Sequence, residues 1–338
     1  MHPARLWKGN DDGSVQCRLC SHYCAIDPQG IGKCGVRTNR EGSLYTLVFD
    51  KVAALNLDPV EKKPIYHFHP GTQSFSLGTM GCNLFCSFCQ NDALSQTPKL
   101  GGRISGETVT PQQIVQAAKR YRAHSISYTY SEPTVFFELV QDTAVLAKQE
   151  GLKNILVSNG FMSPACLKEL ASTVDAINVD LKAFSERFYE ELCGAQLRPV
   201  LNNLKAIRKL GWWLEVTTLI IPGWNDSMEE LRELTRFIVA ELGPEVPWHI
   251  SRFHPANRMW DCPRTPVDTL EKAYTVGREA GLLYVYLGNV PGSRLENTFC
   301  PGCETQVIDR KGFYVSKQSL RGGRCNECGQ RIAGVGLA

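Results

Sequence analysis

The stretch Gly81-Cys82-Asn83-Leu84-Phe85-Cys86-Ser87-Phe88-Cys89-Gln90-Asn91 decides the fold and the chemistry predicted for this chain. Its cysteines have the spacing C-x3-C-x2-C. A four-iron cluster normally takes four cysteines, so three thiolates leave one iron open for another ligand. A structural zinc would need a fourth ligand, for which His67 and His69 are the nearest candidates. Both histidines lie in a turn-like segment, so Cys82, Cys86 and Cys89 predict an open [4Fe-4S] cluster.

Strand-like and helix-like segments alternate around and after this motif. Seven short apolar segments, rich in β-branched or aromatic residues, are typical of buried parallel strands. They are residues 74–77, 125–129, 154–158, 176–181, 214–220, 249–253 and 283–287. Capping signals begin the helices between them, as at Thr110 with Gln113, at Ser227 with Glu230, and at Thr265 before a proline. The alternation predicts an α/β fold with a wound parallel sheet.

The number of strand–helix units favours a partial (β/α)6 barrel over a complete eight-unit barrel, with a doubly wound open sheet as the alternative. In either fold, ligands bind at the carboxyl ends of the strands. Both flanks lack the alternation and carry cysteines instead. The sequence therefore predicts an N-terminal metal-binding module over residues 1–70, a barrel over 71–295, and a zinc-ribbon-like module over 296–338.

Composition excludes several other classes of protein. The net charge of +3 over 338 residues is too small to favour nucleic acid or an anionic membrane surface as a partner. No apolar run is long enough for a transmembrane helix, and the N-terminus lacks a signal-like apolar region, so we expect a cytoplasmic location. Eleven of the 14 cysteines fall into three clusters, which in a reducing compartment indicates metal ligands.

The two outer clusters differ in how clearly they predict a metal. Cys300, Cys303, Cys325 and Cys328 form two C-x2-C pairs, a pattern typical of a zinc ribbon, with a rubredoxin-like iron site or an auxiliary iron–sulfur cluster as alternatives. Cys17, Cys20, Cys24 and Cys34 suit either zinc or a second iron–sulfur cluster, which would relay electrons. The spacing does not specify a ferredoxin, so zinc is favoured there, and His22 could replace one thiolate.

The central motif resembles that of the radical S-adenosylmethionine (radical SAM) superfamily. The resemblance implies that the open iron binds SAM and that one electron splits the C5′–S bond, giving a 5′-deoxyadenosyl radical that abstracts a hydrogen atom. A narrower resemblance is to the radical SAM member of the AmmeMemoRadiSam group, which is related to pyruvate formate-lyase activating enzymes. It rests on residues 67–71, 88–91, 128–133, 178–182 and 288–292.

The same resemblance implies which residues contact SAM. They belong to the motif and to successive strand ends, and are Phe88, Ser131, Glu132, Ser158, Asn159, Asp180, Lys182, Ile220 and His249. Phe88 would lie against the adenine. Glu132 follows a segment where the family has two glycines, and Ser131 replaces one of them. Asp180 and Lys182 resemble the Asp-x-Lys of glycyl-radical activating enzymes.

The function predicted is therefore a radical SAM enzyme that abstracts a hydrogen atom. Its target is either a glycyl-radical enzyme that it activates, or a small molecule, peptide or RNA that it modifies directly. A non-catalytic zinc-binding adaptor is the alternative from another class. The leading interpretation implies a low-potential electron donor such as flavodoxin or ferredoxin, and a protein substrate or Memo-like partner. The basic residues of the C-terminal module lack interleaved aromatic residues, which disfavours RNA.

Overall fold

The structure, a computed structural model, describes residues 1–337 and has an open eight-stranded sheet at its centre. The strands are Ala54–Pro59 (β1), Gln73–Gly78 (β2), Ser125–Tyr128 (β3), Lys153–Ser158 (β4), Ala176–Asp180 (β5), Trp213–Ile220 (β6), Trp248–Arg252 (β7) and Val285–Gly288 (β8). Strands β2 to β8 are parallel, and β1 pairs antiparallel with β2 at the edge.

The strands lie in the sheet in the order in which they occur along the chain. A doubly wound sheet instead reverses direction at a switch point. The sequential order is that of a barrel, and within residues 1–337 β1 and β8 remain unpaired edges, so the barrel is partial. The predicted fold class is confirmed, and all seven predicted strands occur. β1 is an additional strand, from within the segment predicted as the N-terminal module.

Six longer helices connect the parallel strands: Pro111–Arg120 (α1), Phe137–Gln149 (α2), Pro164–Leu170 (α3), Leu197–Leu210 (α4), Met228–Phe237 (α5) and Val267–Glu279 (α6). The capping box that begins α1 is confirmed, since Gln113 N donates to Thr110 Oγ1 over 3.2 Å and Thr110 N donates to Gln113 Oε1 over 2.9 Å. Ser227 is the N-cap residue of α5 as predicted, but the capping box is absent, because Ser227 makes no side-chain cap hydrogen bond and Glu230 accepts from Phe184 N. The cap predicted at Thr265 is wrong, because Pro266 is the N-cap residue of α6 and the Thr265 hydroxyl donates to Ile220 O.

Shorter helical segments complete the connections. They are Asp92–Ser95 and Glu186–Phe188 (α), Val60–Lys62, Thr97–Leu100, Pro133–Phe136 and Arg294–Glu296 (3-10), and Tyr189–Cys193 and Ile238–Leu242 (π). In the part of the chain that the structure describes, no helix is both long and apolar enough to span a bilayer.

Both flanks are built from short strands. Those of the N-terminal flank are His2–Pro3, Trp7–Gly9, Val15–Cys17, Ala25–Ile26, Arg37–Arg40, Ser43–Thr46 and Lys51–Val52, the last paired with Glu107–Thr108. Those of the C-terminal flank are Thr298–Phe299, Gln306–Lys311, Tyr314–Gln318, Leu320–Arg321 and Arg324–Cys325. The N-terminal flank shares one apolar core with the barrel. The C-terminal flank packs below the strand starts, where Arg310 Nη2 donates to Tyr66 O over 2.8 Å.

Candidate active site

A cavity of about 610 Å³ lies at the carboxyl ends of the parallel strands. This volume is within the range of sites that bind small ligands. Its lining includes all three cysteines of the central motif and polar residues that follow β3, β4 and β5. The cavity therefore occupies the place that the fold reserves for a ligand.

Side chains from other parts of the chain donate hydrogen bonds to the backbone of the loop that carries Cys82, Cys86 and Cys89. Gln96 Nε2 and Asn257 Nδ2 both donate to Cys86 O, over 2.7 and 3.0 Å. Burial raises the pKa of the Cys82 and Cys89 thiols, so a bound metal is needed to keep them as thiolates. Within residues 1–337, these thiols are not among the ligand groups that lie within 4.8 Å of one another. That spread suits ligands of separate irons better than ligands of one ion.

Glu132 lies at the cavity, but both of its carboxylate oxygens already accept hydrogen bonds from the protein. Oε1 accepts from Thr134 N, Thr134 Oγ1 and Ser158 Oγ over 3.1, 2.6 and 2.8 Å. Oε2 accepts from Asn159 N over 2.8 Å. Burial raises the pKa of Glu132, and these hydrogen bonds oppose that change. Glu132 therefore ties the loop after β3 to the end of β4.

Asn159 connects the end of β4 to the cysteine loop. Its Nδ2 donates to Asn83 Oδ1 over 2.7 Å and lies 3.8 Å from Cys82 Sγ. Two buried polar atoms nearby have no partner in the protein, Asn83 Nδ2 and Ser131 Oγ. Ser131 lines the cavity. Because unpaired buried polar groups are costly, these atoms fit a site that binds a polar ligand.

Asp180 and Lys182 meet at the end of β5, where Lys182 Nζ donates to Asp180 Oδ2 over 3.0 Å. Lys182 is the more buried partner. Burial would lower the pKa of Lys182, but Asp180 and the Cys86 thiolate raise it well above its usual value, so the ammonium group stays charged. Lys182 Nζ also lies 5.8 Å from the centre of the Phe88 ring. The cavity therefore has one charged wall beside an aromatic ring.

Two of the predicted SAM contacts lie away from this cavity. His249 is the second residue of β7, near the start of the strand, and its Nε2 lies 2.6 Å from Glu215 Oε2 in the buried lower part of the barrel. Ile220 is fully buried, whereas its neighbour Leu219 lines the cavity, because successive side chains of a strand point to opposite faces. The other seven predicted contacts all line the cavity.

A polar cluster on another wall of the cavity was not predicted from the sequence. Asp58 Oδ2 accepts from Lys63 Nζ and from Tyr130 Oη, both over 2.6 Å. Burial by itself would raise the pKa of Asp58. Hydrogen bonds from Lys62, Lys63 and Tyr130 outweigh this effect and lower the pKa below its usual value. Lys62, Lys63 and Tyr130 line the cavity, and Asp58 accepts a hydrogen bond from each of them.

The outer cysteines also form two groups. Among the C-terminal four, the Sγ atoms of Cys300 and Cys328 are 3.5 Å apart and those of Cys303 and Cys325 are 3.7 Å apart. Four thiolates around one tetrahedral zinc are about 3.8 Å apart, so this group fits a single zinc ion. Cys17, Cys20, Cys24 and Cys34 line a second, smaller cavity together with His22.

Comparison with known proteins identifies the family. Residues 77–237 match the family model of the radical SAM superfamily. The chain is also 43% identical over 334 residues to the uncharacterized protein MJ0808 of Methanocaldococcus jannaschii, covering 98% of this chain and 99% of the relative. The chain belongs to the radical SAM superfamily. This radical SAM protein is therefore an enzyme that carries out SAM-dependent radical chemistry, and its fold implies a [4Fe-4S] cluster and SAM.

Two further comparisons place it within the superfamily. It is 26% identical over 223 residues to the putative glycyl-radical enzyme activating enzyme MJ1632 of Methanocaldococcus jannaschii, covering 65% of this chain and 80% of the relative. The crystal structure of Streptococcus suis SuiB bound to S-adenosylmethionine superposes with a TM-score of 0.51 and 16% identity, over 72% of this chain and 56% of SuiB. The first relates this radical SAM enzyme to activating enzymes, and the second shows a shared fold.

Proposed function

We propose that Cys82, Cys86 and Cys89 hold the [4Fe-4S] cluster and that SAM binds between its open iron and the strand ends. One observation carries this proposal: three spread thiols and seven of the nine predicted contact residues line a single cavity. The unpartnered Ser131 Oγ supports it, since Ser131 lines the cavity and SAM offers polar groups to its hydroxyl. When bound, the reduced cluster supplies the electron that cleaves SAM to a 5′-deoxyadenosyl radical.

The chain's own residues would orient SAM and keep it in place. Phe88 offers an aromatic face for the adenine, and the charged Lys182–Asp180 pair lies beside it for polar groups of the cofactor. Ser131 Oγ, which has no partner in the protein, would donate a hydrogen bond to SAM from the loop after β3. Glu132 positions that loop and Asn159 without touching SAM itself, because its oxygens are already engaged. In this arrangement Glu132 is a positioning residue.

SAM cleavage tests the proposal directly. The anaerobically reconstituted chain, with dithionite and SAM, should release 5′-deoxyadenosine, and Cys86→Ala should reduce the product to background. Cys262→Ala is the matched control, because Cys262 lies outside the cavity lining and should keep full activity. Equal product from the wild-type chain and Cys86→Ala would overturn the assignment. A colourless protein that binds zinc without labile sulfide would instead favour the adaptor alternative.

We propose a glycine residue of a partner protein as the hydrogen donor. Support comes from the relative named as a putative glycyl-radical enzyme activating enzyme, and from the Asp180–Lys182 pair at the end of β5. Flavodoxin or ferredoxin would supply the electron, and a Memo-like protein is one candidate partner. Incubation with the partner, SAM and reductant should give a glycyl radical visible by electron paramagnetic resonance. Its absence while 5′-deoxyadenosine is still formed would exclude this substrate class.

A small polar substrate is the second candidate, favoured by the cluster of Lys62, Lys63 and Tyr130 on the cavity wall. The two lysines offer ammonium groups to a ligand lying beyond SAM, and the Tyr130 hydroxyl is already bonded to Asp58 and Asn56. The test is direct modification of a small molecule, followed by mass spectrometry of extracts incubated with SAM and reductant. Transfer of deuterium from a labelled molecule to 5′-deoxyadenosine would identify the substrate.

We also propose that Cys300, Cys303, Cys325 and Cys328 hold one structural zinc ion, since the measured Sγ separations match a tetrahedral site. We also propose the division predicted from the sequence, a metal-binding module over residues 1–70, a barrel over 71–295 and a zinc module over 296–338, with β1 of the first segment joining the barrel sheet. The proposal expects about one zinc per chain, retained in a variant that lacks the three central cysteines. Loss of all zinc from that variant would contradict it.

A further inference from the structure

Four cysteines distant from the active-site cavity face a cavity of their own. Cys17, Cys20, Cys24 and Cys34 line it together, and Leu19, Ile26 and Val135 close it with apolar side chains. Cys17 and Cys34 are buried, and Cys20 and Cys24 are half-buried. Four thiols from residues 17–34 that line one cavity inside a protein indicate a metal site.

The spacing of these thiols distinguishes the two metals that the sequence allows. Four thiolates on one zinc ion lie about 3.8 Å apart, and the C-terminal group matches that distance. Within residues 1–337, the C-terminal group alone has three or more ligand atoms within 4.8 Å of one another. The N-terminal thiols thus share a cavity but are spread more widely than ligands of one ion. A four-iron cluster binds each thiolate to a different iron, which requires such a spread.

Arg37 gives a second, independent indication of a ligand in this cavity. It lines the cavity and is 1% exposed. Its Nη2 donates to Glu138 Oε1 and Arg5 O, whereas Nε and Nη1 have no partner in the protein. Unpaired buried guanidinium donors are costly unless an acceptor occupies the cavity. Glu138 already balances the charge of Arg37. An iron–sulfur cluster carries sulfur acceptors, so it would satisfy the free donors Nε and Nη1.

The N-terminal cavity lies directly behind the loop that carries the central cysteines. His22 Nε2 is 2.8 Å from Asn83 O, and Asn83 adjoins Cys82. Cys34 O would lie 3.1 Å from a Cβ at Gly81, the residue on the other side of Cys82. One layer of loop therefore separates the two groups of cysteines.

We propose that Cys17, Cys20, Cys24 and Cys34 hold a second four-iron cluster next to the first, where the sequence alone favoured zinc. The inference goes beyond the proposed function, since it depends neither on SAM cleavage nor on a substrate. It also assigns the unpaired donors of Arg37 to the sulfur atoms of that cluster. Because the N-terminal site contacts the residues on both sides of Cys82, we expect the two clusters to couple magnetically when both are reduced.

Metal and sulfide analysis of two variants tests the inference. The first variant replaces the central ligands (Cys82→Ala, Cys86→Ala and Cys89→Ala), and the second replaces the four N-terminal cysteines with alanine. After anaerobic reconstitution, each should hold about four iron and four sulfide per chain, against about eight of each in the wild type. The first variant lacks the ligands of the central cluster and cannot cleave SAM. Its iron content therefore reports only on the N-terminal site. A second zinc ion per chain, in place of iron, in that variant would overturn the proposal.

Two further measurements keep the test decisive. Zinc at the C-terminal module, measured in the same samples, shows whether each variant is folded. If the second variant does not fold, the iron content of the first variant is sufficient to test the proposal. Electron paramagnetic resonance of the reduced wild type should show a coupled spectrum that differs from the sum of the spectra of the two variants. A wild-type spectrum equal to that sum would contradict the close placement of the two clusters.

Discussion

Replacing Glu132 with glutamine separates a positioning role from direct contact with SAM. The carboxylate accepts four hydrogen bonds, three at Oε1 and one at Oε2, and two of the donors are the backbone N–H groups of Thr134 and Asn159. Glutamine has only one oxygen. In one amide orientation its NH2 group faces Asn159 N–H, and in the other it faces Thr134 N–H. Either way, one buried backbone donor loses its acceptor.

The size of the effect follows from that loss. A hydrogen bond to a charged group contributes about 1.5–3 kcal/mol, and an unsatisfied buried donor costs a further 1–3 kcal/mol or so. Burial raises the pKa of Glu132, so removing its charge recovers part of this cost. We therefore expect Glu132→Gln to lower the free energy of unfolding by about 2 kcal/mol. For a chain of this size, that corresponds to a fall of roughly 3 °C in melting temperature.

The assay compares melting temperature and SAM affinity under anaerobic conditions. Glu169→Gln, an exposed change of the same kind on α3, is the matched control and should alter the free energy of unfolding by less than about 0.5 kcal/mol. If Glu132 only positions its neighbours, Glu132→Gln should melt several degrees lower and weaken SAM binding less than about tenfold. Wild-type melting temperature combined with a larger loss of SAM affinity would refute this reasoning, because it would show that Glu132 contacts the cofactor.

Three other predictions follow from single contacts. Lys182→Met should raise the Kd for SAM about tenfold in an equilibrium binding measurement. The control Lys205→Met breaks the surface ion pair with Glu241 and should leave the Kd unchanged. Equal effects of the two substitutions would exclude a contact between Lys182 and SAM. Cys328→Ala should release the C-terminal zinc without loss of iron, and retained zinc would exclude that ligand. Burial lowers the pKa of His67 from 6.5 to about 4. Between these two pH values only the unfolded chain binds the proton, so the free energy of unfolding should fall as the pH drops from 6.5 to about 4. An equally steep fall in the His67→Asn variant would refute this origin.

The fold was predictable because the parallel strands are short, apolar and buried. β1 was missed because its apolar residues are exposed and a charged residue is buried. Leu55 and Leu57 are exposed on this edge strand, whereas Asp58 is buried. Asp58 is stabilised there by Tyr130, a partner 72 residues away in the sequence. Hydrophobic periodicity cannot predict a strand whose inward residue is a carboxylate paired at long range.

Site residues that directly follow a strand could be predicted from the sequence. Site residues that lie within a strand were harder to predict. The central cysteines and the residues after β3, β4 and β5 meet because the carboxyl ends of parallel strands share one edge. His249 depends instead on where β7 begins. The strand starts at Trp248, so His249 lies near its lower end, against Glu215 of the neighbouring strand. An error of two residues along a strand moves a side chain by several ångströms, enough to remove it from a site.

Tyr130 shows why the barrel and the N-terminal residues form the active site together. Its φ of +67° lies in the left-handed region, where the related segment has glycine and where a bulky residue is strained. Its side chain compensates, because Tyr130 Oη bonds with Asp58 and Asn56 of β1 and its ring lies 4.7 Å from Lys63 Nζ. Asp58 and Lys63 both precede residue 71. The loop that presents Ser131 to the cavity is therefore held in its conformation by the segment predicted as a separate module, and a barrel expressed without residues 1–70 should lose SAM binding even with its three central cysteines intact.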